Sequence, residues 1–321
     1  MMSLDEIPEL RVIRNAPLSE YTRFGIGGPA DFYAETRDEG AFRAALNAAL
    51  ANAPSVVIGG GTNLIVSDDG FPGVVLRYTG QEIREAGELV EAEAGGDLQR
   101  LVDYTVDRGL AGLHTMTGIP GTVGAAIYGN AGAYGHAICE SVEWVRFFDG
   151  EGIRTITNAE CEFRYRGSIF KRNKRWVIFS AGLRLPPGDP AELRKTADEI
   201  LAVRNRKYPP AMKCAGSIFK NLLLAELPPE TAAMVPESIV REGKVASAFF
   251  LEQAGAKGLR VGDIQVAGYH ANLIYNDGRG TAKDLVKVIN ELKARVRDRF
   301  GLELEEEVQY VGFSVQDFGG C

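Results

Sequence analysis

Hydrophobic residues before residue 190 gather in short runs rich in β-branched and aromatic types: "PSVVIGGG", "GVVLRY", "ELVEAEAG", "VEWVRFF" and "RWVIFSAGLRL". Runs of this length, bounded by glycine, predict strands joined by tight turns. Two segments in the same half carry a helical period instead. "DEGAFRAALNAALAN" opens on acids and spaces Phe42, Leu46 and Leu50 for one face. "DLQRLVDYTVDRG" begins at Asp97, a predicted N-cap, sets Leu98, Leu101, Val102 and Thr105 on one stripe and stops at Gly109.

The pattern breaks at "PPGDP", Pro186 to Pro190, a linker signal. Beyond it "DPAELRKTADEILAVRNRK" predicts a helix with proline in its first turn. "TAKDLVKVINELKARVRDRFG" predicts a longer one, with Leu285, Val288, Ile289 and Leu292 on a face and Gly301 closing it. "IQVAG" and "ANLIYN" predict strands between them. No fixed-period repeat is present. The expectation is two α+β domains, residues 1–187 (in two subdomains) and 188–321.

Composition narrows the class. A chain of 321 residues suits about two domains. Lys plus Arg is 36 and Asp plus Glu is 43, a net charge of −7 that argues against a nucleic-acid partner. Cys139, Cys161, Cys214 and Cys321 form no C-x-x-C pair, and the three histidines are scattered, so no metal site is predicted. A reduced cytosolic state is the simpler reading of those cysteines. "MMSLDEIPEL" has neither a basic n-region nor an apolar h-region. No apolar run approaches the roughly 20 residues that span a bilayer. The expectation is a soluble cytoplasmic protein, taken as a monomer, with no membrane partner.

Three glycine-rich stretches stand out: "TRFGIGGPAD" (22–31), "VIGGGTNLIVSDDG" (57–70) and "GIPGTVGAAIYGNAGAYG" (118–135). Glycine lets backbone N–H groups approach an anion closely. A Rossmann fingerprint needs a helix after its loop, but "LIV" follows "GGGTN"; the Walker G-K-[ST] is absent. Phosphate-binding loops and ordinary tight turns both stay open. The pentapeptide "GSIFK" also occurs twice, at Gly167–Lys171 and Gly216–Lys220, with no likeness beyond those residues. Each copy lies in a basic, acid-free window. Arg164, Arg166, Lys171, Arg172, Lys174 and Arg175 make the first; Arg204, Arg206, Lys207, Lys213 and Lys220 make the second. Solvated surface charge is one reading and a cleft for a polyanion is the other.

The set "TRFGIGGPAD", "GGGTNLIVSDDGFPG", "GIPGTVGAA", "YRGS", "GSIFKN" and "HANLIYN" resembles the UDP-N-acetylenolpyruvoylglucosamine reductases of bacterial peptidoglycan synthesis, from about Thr22 to Gly312. The resemblance implies an α+β fold: an FAD-binding domain of the p-cresol methylhydroxylase type, then an α+β substrate-binding domain. It implies FAD and NADPH as cofactors and a UDP-sugar as substrate. The cofactor diphosphate would meet backbone amides of Gly59, Gly60, Gly61, Thr62 and Asn63, and of the Ile119, Pro120, Gly121 and Gly124 loop. Both "GSIFK" neighbourhoods would serve one site.

The implied reaction passes hydride from NADPH to flavin N5 and then to C3 of an enolpyruvyl ether, with a proton to C2. Arg166 of "YRGS" would grip the substrate carboxylate bidentately, or else make a structural ion pair. Ser217 would donate the proton, or else cap a turn. "LEEEV", Leu304 to Val308, puts the third catalytic group at Glu307. Glu305 shares its face in an extended segment and stays a competitor. Lys220, Asn221 and Tyr208 are implied substrate contacts, Tyr208 equally readable as a rim aromatic. His270 and Cys214 read as structural. The chain departs from the family at Ala125 (commonly glycine), Leu222 and Glu306 (commonly proline), and in a longer connection from Leu222 to Ser247, read as a surface excursion. Two other classes remain: an FAD oxidase with covalently attached flavin, disfavoured because no histidine lies near Gly59–Asn63, and a non-catalytic nucleotide-binding module.

Overall fold

The computed structural model describes residues 3–314, so Cys321 lies outside the described residues. The chain divides into two units. One holds residues 1–16, 30–61 and 72–206; the other holds 17–29, 62–71 and 207–321. The first unit runs past the division expected at residue 187 to residue 206, and helix Pro190–Lys207 spans its end.

The first unit is built on two sheets. One has four strands in the order Arg11–Pro17, Pro29–Thr36, Phe71–Tyr78, Ser55–Val57, the last two parallel with Val56 opposite Val75. The other has five, in the order Ile153–Thr157, Val142–Phe148, Val177–Arg184, Leu89–Glu93, Ile83–Ala86, antiparallel throughout. Every strand predicted in this half is present. The strands Arg11–Pro17, Pro29–Thr36 and Ile153–Thr157 carry no clean alternation, and the hydrophobic pattern did not reveal them.

Helix Glu39–Asn52 starts on Asp38, whose carboxylate accepts the Ala41 N–H at 2.7 Å. It buries Ala41, Phe42, Ala45, Leu46 and Ala49, whereas Leu50, placed on the predicted face, is 43% exposed. At 3.6 residues per turn, position 50 sits about 80° round the helix from position 42, while 49 returns to within about 20° of it. Small alanines therefore complete the stripe. They let Phe42 reach Tyr78 and Phe179, the three rings packing edge to face at 5.0–5.9 Å. Helix Leu98–Asp107 follows its prediction, capped by Asp97 and burying Leu98, Leu101, Val102 and Thr105.

The second unit packs a four-stranded sheet, ordered Lys213–Ser217, Leu273–Asn276, Ile264–Val266, Arg260–Val261, with helix Ala282–Phe300. Leu285, Val288, Ile289 and Leu292 of that helix are fully buried, each burial contributing roughly 1.5–3 kcal/mol. Asp68, far away in sequence, accepts the Ala282 and Lys283 N–H groups at 2.8 and 2.9 Å and so adds a carboxylate at the positive end of the helix. The two early segments belong here because Phe24, Ile26 and Ile65 join this unit's core. Strand Leu64–Val66 pairs in parallel with Gln309–Val311. The excursion after Leu222 is tied down at both ends of its path. Leu222–Leu223 pairs with Lys244–Val245, Leu227 and Val245 are buried, and Thr231 donates to the Phe300 carbonyl at 3.1 Å.

Candidate active site

In the first unit, strand Ser55–Val57 runs out at Ile58, whose N–H still donates to Leu76 O at 2.9 Å. The three glycines that follow leave the sheet. A Cβ on Gly59 would lie 3.0 Å from Thr122 Oγ1 and 3.3 Å from the Ala125 methyl, so this turn rests against the start of helix Val123–Gly129. Among the described residues the amides of Gly59, Gly60, Gly61 and Gly121 donate no hydrogen bond. Four other amides of the facing loop are engaged. Ile119 donates to Met116 O at 3.0 Å, Val123 to Gly96 O at 2.9 Å, Gly124 to Ala94 O at 2.8 Å and Ala125 to Thr122 Oγ1 at 3.3 Å.

The Gly124 and Ile119 amides are thus engaged within the fold, and Pro120 has no N–H to give. Gly124 is glycine because a Cβ would stand 2.8 Å from that of Ala94. The donors left at Gly59, Gly60, Gly61 and Gly121 suit an anionic diphosphate. "TRFGIGGPAD" is different again. A Cβ on Gly28 would lie 2.1 Å from Asp68 O, and the Gly25 and Gly28 amides bond to Thr22 O and Ser67 O at 3.1 and 2.8 Å. Its glycines serve close backbone packing, so the phosphate-ready reading of this stretch is set aside.

Arg166 occupies a tight turn in which Arg164 and Gly167 exchange backbone hydrogen bonds of 3.0 and 3.1 Å. Its φ of +54° is a left-handed conformation that a non-glycine residue seldom adopts outside tight turns and functional sites. The guanidinium donates to Gly132 O at 3.1 Å and stands 5.2 Å from the Tyr165 ring centre. Asn130 donates to Arg164 O at 3.0 Å and Lys171 Nζ to Arg166 O at 2.9 Å, holding the turn from both sides.

In the second unit, Ser217 ends strand Lys213–Ser217. The ladder to strand Leu273–Asn276 slips between Cys214 and Ser217, a bulge made possible by Gly216 at φ +78°. The Ser217 hydroxyl lies 3.1 Å from the Tyr208 hydroxyl. Past the bulge the chain pairs with the acidic segment. Glu307 N–H donates to Ile218 O at 2.7 Å, Lys220 N–H to Glu305 O at 2.9 Å, and Phe219 bridges Glu306.

The three glutamates differ in their surroundings. Glu305 is 72% exposed at its side chain and paired with Lys220; Glu306 is paired with Lys293 at 3.1 Å. Glu307 is gripped through its backbone on two sides, because Asn63 Nδ2 donates to its carbonyl at 3.0 Å. The Asn63 carbonyl in turn accepts Gln309 N–H at 2.9 Å. In the Lys220–Glu305 pair the carboxylate side chain is exposed and the lysine side chain is mostly buried. Asn221 follows at the surface.

Burial pushes His270 down to about 4, helped by nearby Lys207, so it is neutral at pH 7. Its Nδ1 accepts the Asn272 N–H at 3.1 Å, which makes it a structural group. Cys214 is fully buried in the core. Nothing local in the sequence marked the hold of Asn63 on Glu307, which spans 244 residues. No helix among the described residues is long and apolar enough to cross a membrane.

Comparison with known proteins gives consistent matches. Residues 30–157 match the family model described as FAD binding domain, and residues 208–311 match that of the UDP-N-acetylenolpyruvoylglucosamine reductase C-terminal domain. UDP-N-acetylenolpyruvoylglucosamine reductase of Solibacter usitatus is 62% identical over 97% of this chain and 100% of its own. That of Rubrobacter xylanophilus is 39% identical over 92% and 94%. The crystal structure of the Thermus caldophilus reductase superposes with a TM-score of 0.73 at 30% identity, covering 94% of this chain and 98% of that one.

Proposed function

Because this chain belongs to the UDP-N-acetylenolpyruvoylglucosamine reductase family, we propose that it reduces UDP-N-acetylglucosamine enolpyruvate to UDP-N-acetylmuramate, with NADPH as reductant. It is an oxidoreductase with an FAD-binding domain. FAD, once bound there and reduced by NADPH, would supply the hydride for C3 of the enolpyruvyl group. The amides of Gly59, Gly60, Gly61 and Gly121 hold the cofactor diphosphate, with Thr62, Asn63, Ile119 and Pro120 beside them.

As hydride arrives at C3, negative charge moves through C2 into the substrate carboxylate. Arg166, always cationic, stabilises that charge. Ser217 Oγ gives its proton to C2 and regains one from water through polar neighbours, Tyr208 among them. Glu307 is the third catalytic group, and Lys220, Asn221 and Tyr208 contact the nucleotide-sugar. The reaction needs a soluble UDP-sugar, which fits a cytoplasmic enzyme.

One observation carries these assignments. The hydrogen bond from Glu307 N–H to Ile218 O brings the acid to the residue next to Ser217, across 89 positions of chain. The test is spectroscopic. The purified protein is expected to be yellow, to bleach with NADPH under anaerobic conditions and to recover its colour on adding the enolpyruvyl sugar nucleotide, yielding the lactyl ether. A flavin that NADPH reduces but the sugar nucleotide does not reoxidise would refute the reading.

A further inference from the structure

The motif "HANLIYN" has no part in the reaction above, yet it contains a polar side chain that is only 3% exposed, Asn272. Its neighbourhood accounts for all of its hydrogen-bonding capacity. Oδ1 accepts the Ile218 N–H at 3.1 Å and the Phe219 N–H at 2.9 Å. Nδ2 donates to Phe219 O at 2.8 Å and to Ser247 Oγ at 2.7 Å. An asparagine side chain offers two acceptor lone pairs and two donor hydrogens, and here all four are used. Turning the amide over would face Oδ1 towards the Phe219 carbonyl, so the pattern fixes its orientation.

The location of this network gives it meaning. The regular ladder of strand Lys213–Ser217 ends at Ser217, paired with Leu273, the residue after Asn272. The next two residues, Ile218 and Phe219, have left the sheet. The Asn272 side chain replaces the missing strand for them, while the Asn272 carbonyl accepts Ile218 N–H as well, at 3.1 Å. The other edge of the same two residues carries Glu306 and Glu307. Ser247, fully buried, opens helix Ser247–Gln253 where the excursion from Leu222 returns, and also donates to Phe219 O at 3.3 Å.

We propose that Asn272, supported by Ser247, is a positioning residue for proton transfer, fixing the Ser217–Phe219 backbone so that the Ser217 hydroxyl and the Glu307 segment hold their places. The proposal rests on the role given to Ser217 above. It predicts a fault in one half-reaction only. A merely structural residue would lower the folded fraction and both half-reactions together.

The experiment is anaerobic stopped-flow on Asn272→Asp holoenzyme beside the wild type. The substitution keeps the shape and both acceptors but removes the two donors facing Phe219 O and Ser247 Oγ. Per bound flavin, bleaching by NADPH should match the wild type. Reoxidation by the enolpyruvyl sugar nucleotide should slow by about 10- to 100-fold, the range that a misplacement of an ångström produces. The solvent deuterium isotope effect on that step should rise as proton transfer becomes limiting. Reoxidation at the wild-type rate per flavin would overturn the proposal, as would equal slowing of both half-reactions. Should Asn272→Asp fail to fold, Ser247→Ala removes one partner only; it should slow reoxidation by less, and an unchanged rate there would equally overturn it. A wild type that bleaches but is never reoxidised would instead bring down the functional reading itself.

Discussion

The same five residues fold in two ways in this protein. In Gly167–Lys171 the serine caps a short helix, Ile169–Arg172, accepting the Lys171 N–H at 3.3 Å while its hydroxyl donates to Tyr128 O at 2.8 Å. In Gly216–Lys220 the glycine and serine end a strand, and the Ser217 hydroxyl meets Tyr208. Phe170 packs in the first unit's core, 5.2 Å from Phe147 between ring centres; Phe219 is buried in the second and bridges Glu306. What differs is the partner supplied from elsewhere in the chain. Asn272 and the Glu305–Glu307 segment hold the second copy extended, whereas in the first Ser168 caps a helical turn and is tied to Tyr128. The contrast shows how weakly five residues specify structure: Ser168 is built into the fold, whereas Ser217 is the serine to which the proposed proton transfer is assigned.

The largest effect should separate the two serines. Ser217→Ala is expected to lower kcat by about 10²- to 10⁴-fold, the usual share of a positioned proton donor, with little change in melting temperature. Ser168→Ala should do the reverse. Losing an N-cap costs roughly 1 kcal/mol, the orphaned Tyr128 carbonyl adds about 1–3 kcal/mol, and kcat should change far less. Steady-state assays and thermal denaturation on both variants check this. Next come the phenylalanines. Phe170→Ala and Phe219→Ala should each destabilise by about 3–5 kcal/mol, measured by denaturant unfolding, because both rings are fully buried in a core.

The glycines should differ by less. Gly216 stands at φ +78° with open space where a Cβ would go, so Gly216→Ala should cost roughly 1–2 kcal/mol through backbone strain alone. Gly167 has no such conformation and its Cβ would meet only Tyr165 O at 3.9 Å, so Gly167→Ala should be close to neutral. A separate test is pH. His270, beside Tyr208, has its folded-state value depressed to about 4 from 6.5 by burial, so the unfolded chain takes up the proton first. Stability from this group is present above about 6.5 and is lost as pH falls towards 4. A pH series of unfolding curves should be flatter across that window in His270→Gln than in the wild type.

Much of the fold was legible because local physics determined it. The cap at Asp97 and the stripe on helix Ala282–Phe300 depend on residues within a few positions of each other. Leu50 misled because alanines can form a buried face as well as leucines do. The strands Arg11–Pro17 and Pro29–Thr36 were hidden because polar residues interrupt them. In the site, the family motifs pointed to Ser217 and Glu307, but the contacts that hold them were not readable. Asn63 reaches Glu307 across 244 residues and Asn272 reaches Phe219 across 53. The glycine loops were readable as flexible backbone but not by use, because only packing distinguishes Gly28 and Gly124, crowded by neighbouring backbone, from Gly59–Gly61, with amides still to give.

Ser217, the serine of the second copy, is proposed to deliver a proton after hydride transfer. The direct measurement is a single turnover of Ser217→Ala in both directions of the flavin cycle, each followed by its absorbance without oxygen. Bleaching by NADPH at the wild-type rate is expected, with almost no recovery of colour on adding the enolpyruvyl sugar nucleotide. Full recovery at the wild-type rate would contradict it.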